Sequence, residues 1–453
     1  MKLKKKKKRG SSSKKIALTI ENAFSLAFKL HQGGNVDEAE MLYGRIIESV
    51  PNHLDALHFY GVLCHQQQRK QEAAQLIGRI IEIDPKNADA HNNLGNVLEG
   101  MGRVHDAEIC YRQAIALNPG HAQAFNNLGV VLMARKAVDE ALDVYGQAIH
   151  ISPETADYRY NLGNALRKCE RIDDAVAAYH SAVELDATHV GAWQGLSRTL
   201  IKSDRKGEAK QVFDAWLEKD PENPIALYLQ ASCMGKGAPS RAPDAFVQKT
   251  FDDLADSFDE HLQGNLDYRA PPLLIEALAN ALPQPAGSLN ILDAGCGTGL
   301  CGPLLKPYAS HLVGVDLSAG MLTRAKGVIA YDEIIQAELT EFLTGKADCF
   351  DAIVSADTLC YFGDLEPVLK RAAGALQDRG VMAFTLEDAG QEIEGWQLNP
   401  HGRYAHTGAY VEHILGVCGF DIQIKKSVIL RNEGGQPVKG HLVVATTMTR
   451  HAS

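Results

Sequence analysis

A period of 34 residues organises the first half of this chain and restricts it to a repeat architecture. Pro51, Pro85, Pro119 and Pro153 follow the period, Ala187 fills one skipped site, and Pro221 resumes it. Ala39, Ala73, Ala107, Ala141, Ala175 and Ala209 keep it without a miss. A third series is small (Ala27, Gly61, Gly95, Gly129, Gly163, Ser197) and a fourth is bulky (Tyr43, Ile77, Tyr111, Tyr145, Tyr179, Phe213). Four series in register over residues 20–223 predict stacked units, each burying its apolar face only against its neighbours.

Each unit reads as two amphipathic helices. In the third, Leu94, Gly95 and Leu98 share one helical face, and Ala107, Tyr111 and Ala114 share another. The small residues let the two helices approach, and the aromatic is expected to fill the gap toward the next unit. Proline ends the second helix because it lacks an amide donor and disfavours helical geometry before it. Asp84, Asn118 and Ser152 before three of the prolines suit the turn. The pattern L-G-x-x-L, then A-x-x-x-Y, then proline resembles the tetratricopeptide repeat over nearly half the chain. Such arrays form a superhelix with a concave surface suited to extended peptide. Asn93, Asn127 and Asn161 recur one place before the Leu-Gly pair, with Asn92 and Asn126 beside them. A carboxamide is donor and acceptor at once, so it can pair with a peptide bond whatever the side chain. The resemblance implies a peptide-binding asparagine ladder at these positions; the competing reading is that they cap or bridge adjacent helices. Few Lys or Arg flank the ladder, which disfavours a two-lysine clamp for a terminal carboxylate.

The chain has 453 residues and a formal net charge of -10. Residues 1–15 hold nine basic side chains and no acidic one, so the remainder carries 37 basic against 56 acidic residues, or -19. A body this acidic repels phosphate backbones, so no DNA partner is expected; the disordered tail alone suits an anionic surface. No run of about 18 apolar residues or secretory leader is present, so no membrane span is expected. Nine cysteines without paired spacing point to reduced thiols in the cytoplasm.

Residues 16–234 read as the repeat domain, about six repeats plus a capping helix over 224–234. Residues 235–249, rich in Gly and Pro, read as a linker. Residues 250–449 change character. Short apolar runs at 290–294, 311–316, 333–337, 350–356 and 380–386 alternate with helical stretches, the pattern of an α/β doubly wound parallel sheet. Two further runs, 428–430 and 441–446, flank Gly434-Gly435 and read as a closing antiparallel hairpin. Asp293-Ala294-Gly295-Cys296-Gly297-Thr298-Gly299 follows the first strand, where a glycine turn lets backbone approach a ligand at the carboxyl edge of the sheet. One register along, Gly297, Gly299 and Gly302 also satisfy the dinucleotide fingerprint G-x-G-x-x-G. Charge separates the two. A carboxylate at the turn repels a pyrophosphate but suits the ammonium and sulfonium of S-adenosyl-L-methionine (SAM), so Asp293 favours SAM, and Asp316 ends the next strand where a ribose-binding acid is expected.

These residues resemble motif I and the second-strand acid of class I SAM-dependent methyltransferases, which implies a Rossmann-like fold. The resemblance implies that Gly295, Gly297 and Gly299 line the amino-acid part of SAM, with Asp293 near its ammonium. It places Asp316 at the ribose, Leu317 or Met321 against the adenine, Glu338 at the adenine edge, and Ala356 with Asp357 at the floor. Residues 251–262 and 266–271 are similar to the lid that many members fold over SAM; by analogy Tyr268 covers the cofactor and His261 faces the reaction centre. With repeats in front, the whole is similar to the predicted bacterial methyltransferases that join tetratricopeptide repeats to this domain, and to the small-molecule type of the Williams–Beuren region class. The loop after the fifth strand commonly closes the acceptor pocket in class I enzymes. Here it offers Glu387, Arg403 as an anion holder, Tyr404, and His406 as a proton acceptor or a surface residue. His401, His406 and Cys418 make no credible metal spacing. No Asn-Pro-Pro-Tyr or Pro-Cys is present, which speaks against DNA methylation. The leading expectation is a SAM-dependent methyltransferase whose repeats recruit a protein or peptide acceptor. Its rivals are an interaction scaffold with an inactive or SAM-sensing methyltransferase fold, and a small-molecule methyltransferase that uses its repeats for assembly.

Overall fold

The structure, a computed structural model, describes residues 19–255, 258–260, 262, 267–282, 284–433 and 435–449. The chain divides into two compact units, Met1–Thr199 and Leu200–Ser453, the boundary falling inside the helix Val190–Lys202.

The first unit is an all-α tetratricopeptide superhelix. Helices of 13 and 14 residues alternate, as in Leu54–Gln66 with Lys70–Ile83, Ala88–Gly100 with Val104–Leu117, and Ala122–Ala134 with Val138–Ile151. Each second helix stops two residues short of its proline. The first helices are capped by a second periodic series: the side chains of His53, Asn87, His121 and His189 accept from the backbone N–H three residues on. The glycine and aromatic series meet within one repeat. A Cβ on Gly95, Gly129 or Gly163 would stand 2.5, 2.6 or 2.8 Å from the ring of Tyr111, Tyr145 or Tyr179. The ring therefore lies against the glycine of its own repeat. Tyr179 also reaches Gly195 of the following repeat, 2.6 Å from its built Cβ.

The second unit is built on a nine-stranded sheet. Its strands are β1 (Leu289–Ala294), β2 (Ala309–Asp316), β3 (Glu333–Gln336), β4 (Phe350–Ser355), β5 (Leu376–Asp388), β6 (Trp396–Leu398), β7 (Tyr404–His406), β8 (Phe420–Glu433) and β9 (Gln436–Thr447). The parallel order is β3-β2-β1-β4-β5; β9 then pairs antiparallel with β5 and β8 with β9. The hairpin read from two short apolar runs is thus two strands of 14 and 12 residues. A small β6–β7 hairpin, which the sequence does not announce, joins the end of β5. Successive core residues face opposite sides: Ile291 and Val354 pack with Leu274 and Leu278 of helix Ala270–Leu278, while Leu292 and Ile353 pack with helices Leu339–Leu343, Glu366–Ala375 and Gly408–Val417. Burial on both faces explains the unbroken apolar runs of the parallel strands.

The segment read as a linker is stitched to this sheet domain. The Ser240 carbonyl accepts from the N–H groups of Gly363 and Asp364, each at 2.8 Å, and Ala242 N–H donates to the Tyr361 carbonyl at 2.8 Å. Residues from Asp244 to Leu254 are helical. The preceding helix Pro224–Met234 packs here too: Tyr228 is fully buried, donates to the Gly402 carbonyl at 2.8 Å, and has its ring centroid 4.8 Å from that of Phe246, the two rings tilted by 52°. Among the described residues no helix is long and apolar enough to cross a membrane.

Candidate functional site

At the carboxyl end of β1 the chain turns through Gly295, Gly297 and Gly299, with φ of +80°, +55° and +95°, the left-handed region that favours glycine. Gly295 is required twice over, since a Cβ there would fall 1.9 Å from the Thr358 Oγ1. At Gly297 the opposite holds: its Cβ direction meets nothing within 4 Å, so the loop presents bare backbone to open space. Gly302, the last glycine of the dinucleotide pattern, answers to packing, because its Cβ would press on the Tyr331 ring at 2.7 Å.

Tyr331 also meets the first candidate acid. Its hydroxyl donates to Asp293 Oδ2 at 2.6 Å. Asp293 is 1% exposed, and its Oδ1 has no hydrogen-bond partner among the described residues. Burial lifts its pKa to about 7, and Asp316 adds to the rise. A buried carboxylate oxygen without a donor is an unmet acceptor, here two residues ahead of Gly295 in the chain. Asp316, at the end of β2, accepts from Gly297 N–H and Ser318 N–H, both at 2.9 Å, and burial raises its pKa. It braces the glycine loop, and lone pairs remain on each oxygen for hydroxyl groups.

Two residues of the segment read as a lid meet these elements. Asp252 takes the Ser318 hydroxyl at 2.5 Å and Gly320 N–H at 2.9 Å, and Asp259 takes the Thr298 hydroxyl at 2.5 Å. His261 lies outside the described residues. Tyr268 is described; burial raises its pKa well above the ordinary value, and Asp357 adds to the rise. Ala356 and Asp357 follow β4 directly, next to Thr358.

The remaining sequence candidates differ in their settings. Leu317 is partly buried, and its carbonyl accepts from Gln336 at 3.1 Å. Met321 is 1% exposed, a core side chain rather than an open platform. The Glu338 carboxylate is occupied, one oxygen capping Glu341 N–H at 2.8 Å and the other held by Arg241 at 2.9 Å. Arg403 is no free anion holder: its Nε donates to Glu387 at 2.6 Å and its terminal nitrogen to Glu433 at 2.5 Å. Tyr404 is fully buried in β7 and donates to the Pro239 carbonyl at 2.6 Å, so it anchors the strap formed by residues 239–242 rather than an acceptor. His406 is not a loop residue. It is fully buried in β7, its Nε2 lies 3.0 Å from the Gly363 carbonyl, and burial lowers its pKa to about 4, a setting without solvent access for proton transfer.

A cluster that the sequence does not reveal lies at the ends of β4 and β5. Arg431, 4% exposed in β8, donates to Asp357 Oδ2 at 2.7 Å and to Glu387, with Glu433 3.5 Å from its Nε. Burial acts to raise the Glu387 pKa, but Arg403 and Arg431 outweigh it and hold the carboxyl below its usual value. The only sign in the sequence was an arginine directly after the apolar run 428–430.

In the repeats, Asn127 Nδ2 donates to Asn92 at 3.1 Å and to Asn96 at 2.8 Å, and Asn161 Nδ2 donates to Asn126 at 2.9 Å. Asn93 Nδ2 lies 3.4 Å from the His58 ring. The ladder amides bridge successive repeats, the competing reading of the sequence.

Residues 292–384 match the model of a methyltransferase domain family. Residues 30–96, 92–156, 140–190 and 166–233 match tetratricopeptide repeat models. Over 111 residues the chain is 38% identical to methyltransferase-like protein 27 of Homo sapiens, covering 24% of this chain and 45% of that one. It is 29% identical over 163 residues to the mitochondrial ubiquinone biosynthesis O-methyltransferase of Rattus norvegicus, covering 32% of this chain and 47% of that one. The chain thus spans about half the length of these relatives. Among solved structures, a thermophilic tetratricopeptide protein of Thermus thermophilus aligns with 40% of this chain and 100% of its own at 20% identity and a TM-score of 0.36. Fold and glycine-loop site together define a methyltransferase domain of the class I, Rossmann-like type. The chain as a whole joins tetratricopeptide repeats to that methyltransferase domain.

Proposed function

We propose that this chain is a SAM-dependent methyltransferase whose repeats recruit a protein or peptide acceptor. The observation that carries the cofactor assignment is the buried, unpartnered Oδ1 of Asp293 beside the open backbone of Gly297. In this reading Asp293 holds the ammonium, Gly295 to Gly299 line the amino-acid part, and Asp316 holds the ribose hydroxyls while bracing Gly297. When bound, SAM supplies an electrophilic methyl carbon on a sulfonium. The chain's own part is to hold the two reactants in line and keep water out, work that proximity and desolvation can largely accomplish. The lid contacts Asp252–Ser318 and Asp259–Thr298 favour such exclusion. Nothing in the site demands a general base. The nine cysteines are all free thiols, in keeping with a cytoplasmic setting, and the basic tail, outside the described residues, is proposed to contact an anionic surface.

The test is transfer of a tritiated methyl group from SAM into a lysate separated by size into protein and metabolite fractions, with Asp316→Ala as control. Label in protein that disappears with Asp316→Ala supports the proposal; no label in either fraction rejects it. Calorimetry gives the cofactor arm, where Asp316→Ala is expected to weaken SAM binding by ~1–3 kcal/mol. One observation favours a second reading, small-molecule methylation with repeats used for assembly: the ladder amides already bridge neighbouring repeats. Label confined to the metabolite fraction decides for it.

A further inference from the structure

Asp357 is not glycine, yet its φ is +52°, a left-handed conformation that costs any residue with a Cβ. What holds it there is specific. Its N–H donates to the Thr385 hydroxyl at 3.0 Å, its Oδ1 takes that hydroxyl at 3.0 Å, and its Oδ2 takes Arg431 at 2.7 Å. Arg431 is itself fixed by Glu387 on β5 and lies beside Glu433 on its own strand. The next residue, Thr358, occupies the space that a Cβ on Gly295 would need, and its hydroxyl lies 3.3 Å from the Gly295 carbonyl. Strain of this kind persists only where the surroundings over-determine it, and it collects at functional sites.

We propose that Arg431 is a positioning residue for the cofactor loop: by holding Asp357 in its left-handed turn it seats Thr358 against Gly295 and keeps the glycine loop in its binding shape. Arg431 thereby links the ends of β4, β5 and β8 to a loop after β1 that none of its own hydrogen bonds named here reaches. This rests on the reading of that loop as the SAM site, so the test has one arm with SAM and one without.

Calorimetric titration of the full chain with SAM should give roughly tenfold weaker binding for Arg431→Met and for Asp357→Ala. Asp357→Gly, which adopts the same φ without cost, should bind SAM more tightly than Asp357→Ala, whose methyl carries that cost. The decisive variant is Arg431→Met with Asp357→Gly, which should recover most of the affinity that Arg431→Met loses. A purely structural arginine would show no such rescue. Amide exchange at Gly297 in the ligand-free protein should follow the same order, faster in Arg431→Met and restored in the double variant. If the double variant is no better than Arg431→Met in either measurement, or Arg431→Met matches the parent in both, the proposal is overturned. Should the parent fail to bind SAM, the cofactor assignment falls and the exchange arm alone judges Arg431. Should Arg431→Met fail to fold, the contrast between Asp357→Ala and Asp357→Gly decides in its place: equal affinity and equal exchange for these two would overturn the proposal.

Discussion

Asp293 pairs a cost with a use. Its carboxyl is buried, receives one hydrogen bond from Tyr331 and titrates near 7, against about 3.9 in an unfolded chain. A folded pKa raised in this direction means that the native protein holds more protons than the unfolded chain between these values. Stability of the ligand-free protein therefore falls as pH rises from about 4 to 7, because ionisation charges a buried group. A cationic ligand needs the ionised form, so SAM affinity should drop about tenfold per pH unit below 7 and level off above it. Asp293→Asn should remove that slope, weaken binding at pH 8, and raise the ligand-free melting temperature at the same pH. Calorimetry and thermal melts at pH 6, 7 and 8 check both effects; a variant that binds SAM like the parent sinks the ammonium assignment. Asp293 and the three glycines are legible in the sequence because they share a strand and its turn and so stay neighbours in space, and Asp316 is legible because it ends the next parallel strand, where it reaches Gly297. Tyr331 is not: its hydroxyl reaches Asp293 from 38 residues away, and no local pattern marks a tyrosine in an exposed-looking stretch as the partner of a buried acid.

At the scale of the element, each helical hairpin turns through one left-handed residue, and these too follow the 34-residue period. Gly34, Gln68, Gly102, Lys136, Glu170 and Asp204 have φ between 57° and 77°. Only two of the six are glycine, so the series was hidden among residues that say nothing by type. Lys136→Gly should stabilise the repeat unit by about 0.5 kcal/mol, relief of left-handed strain exceeding the added entropy of the unfolded chain. Gly102→Ala should cost about 1 kcal/mol. Urea unfolding followed by helical circular dichroism separates the two, and shifts of the opposite sign would show that the turn is not strained. The β6–β7 hairpin was missed for a related reason. Its strands have three residues each, too few for alternation to register, so in the sequence Tyr404 and His406 read as loop side chains, whereas both are fully buried.

For the whole molecule, the repeat series ends inside the second unit. Helix Pro224–Met234 and the strap at 239–242 are bound to the sheet domain by Tyr228, Tyr404 and the backbone of residues 361–364. A chain shortened to residues 250–453 should therefore lose more than ~3 kcal/mol relative to one that keeps residues 200–453, through unpaired buried polar groups and an emptied aromatic seat. Equal melting temperatures for the two would show that the strap is ornamental. The composition of 235–243, rich in Gly and Pro, reads as a linker; that such a segment is bound to the sheet domain depends on carbonyl and amide partners more than 100 residues away. The repeat count, the parallel sheet and the glycine-loop chemistry follow from local periodicity and contiguous motifs, which are properties of the chain before it folds. The Arg431 cluster, the Asp293–Tyr331 pair and the bridging asparagines arise only when distant segments meet, because the strength of a charge or hydrogen bond is set by burial and by partners that sequence distance does not encode.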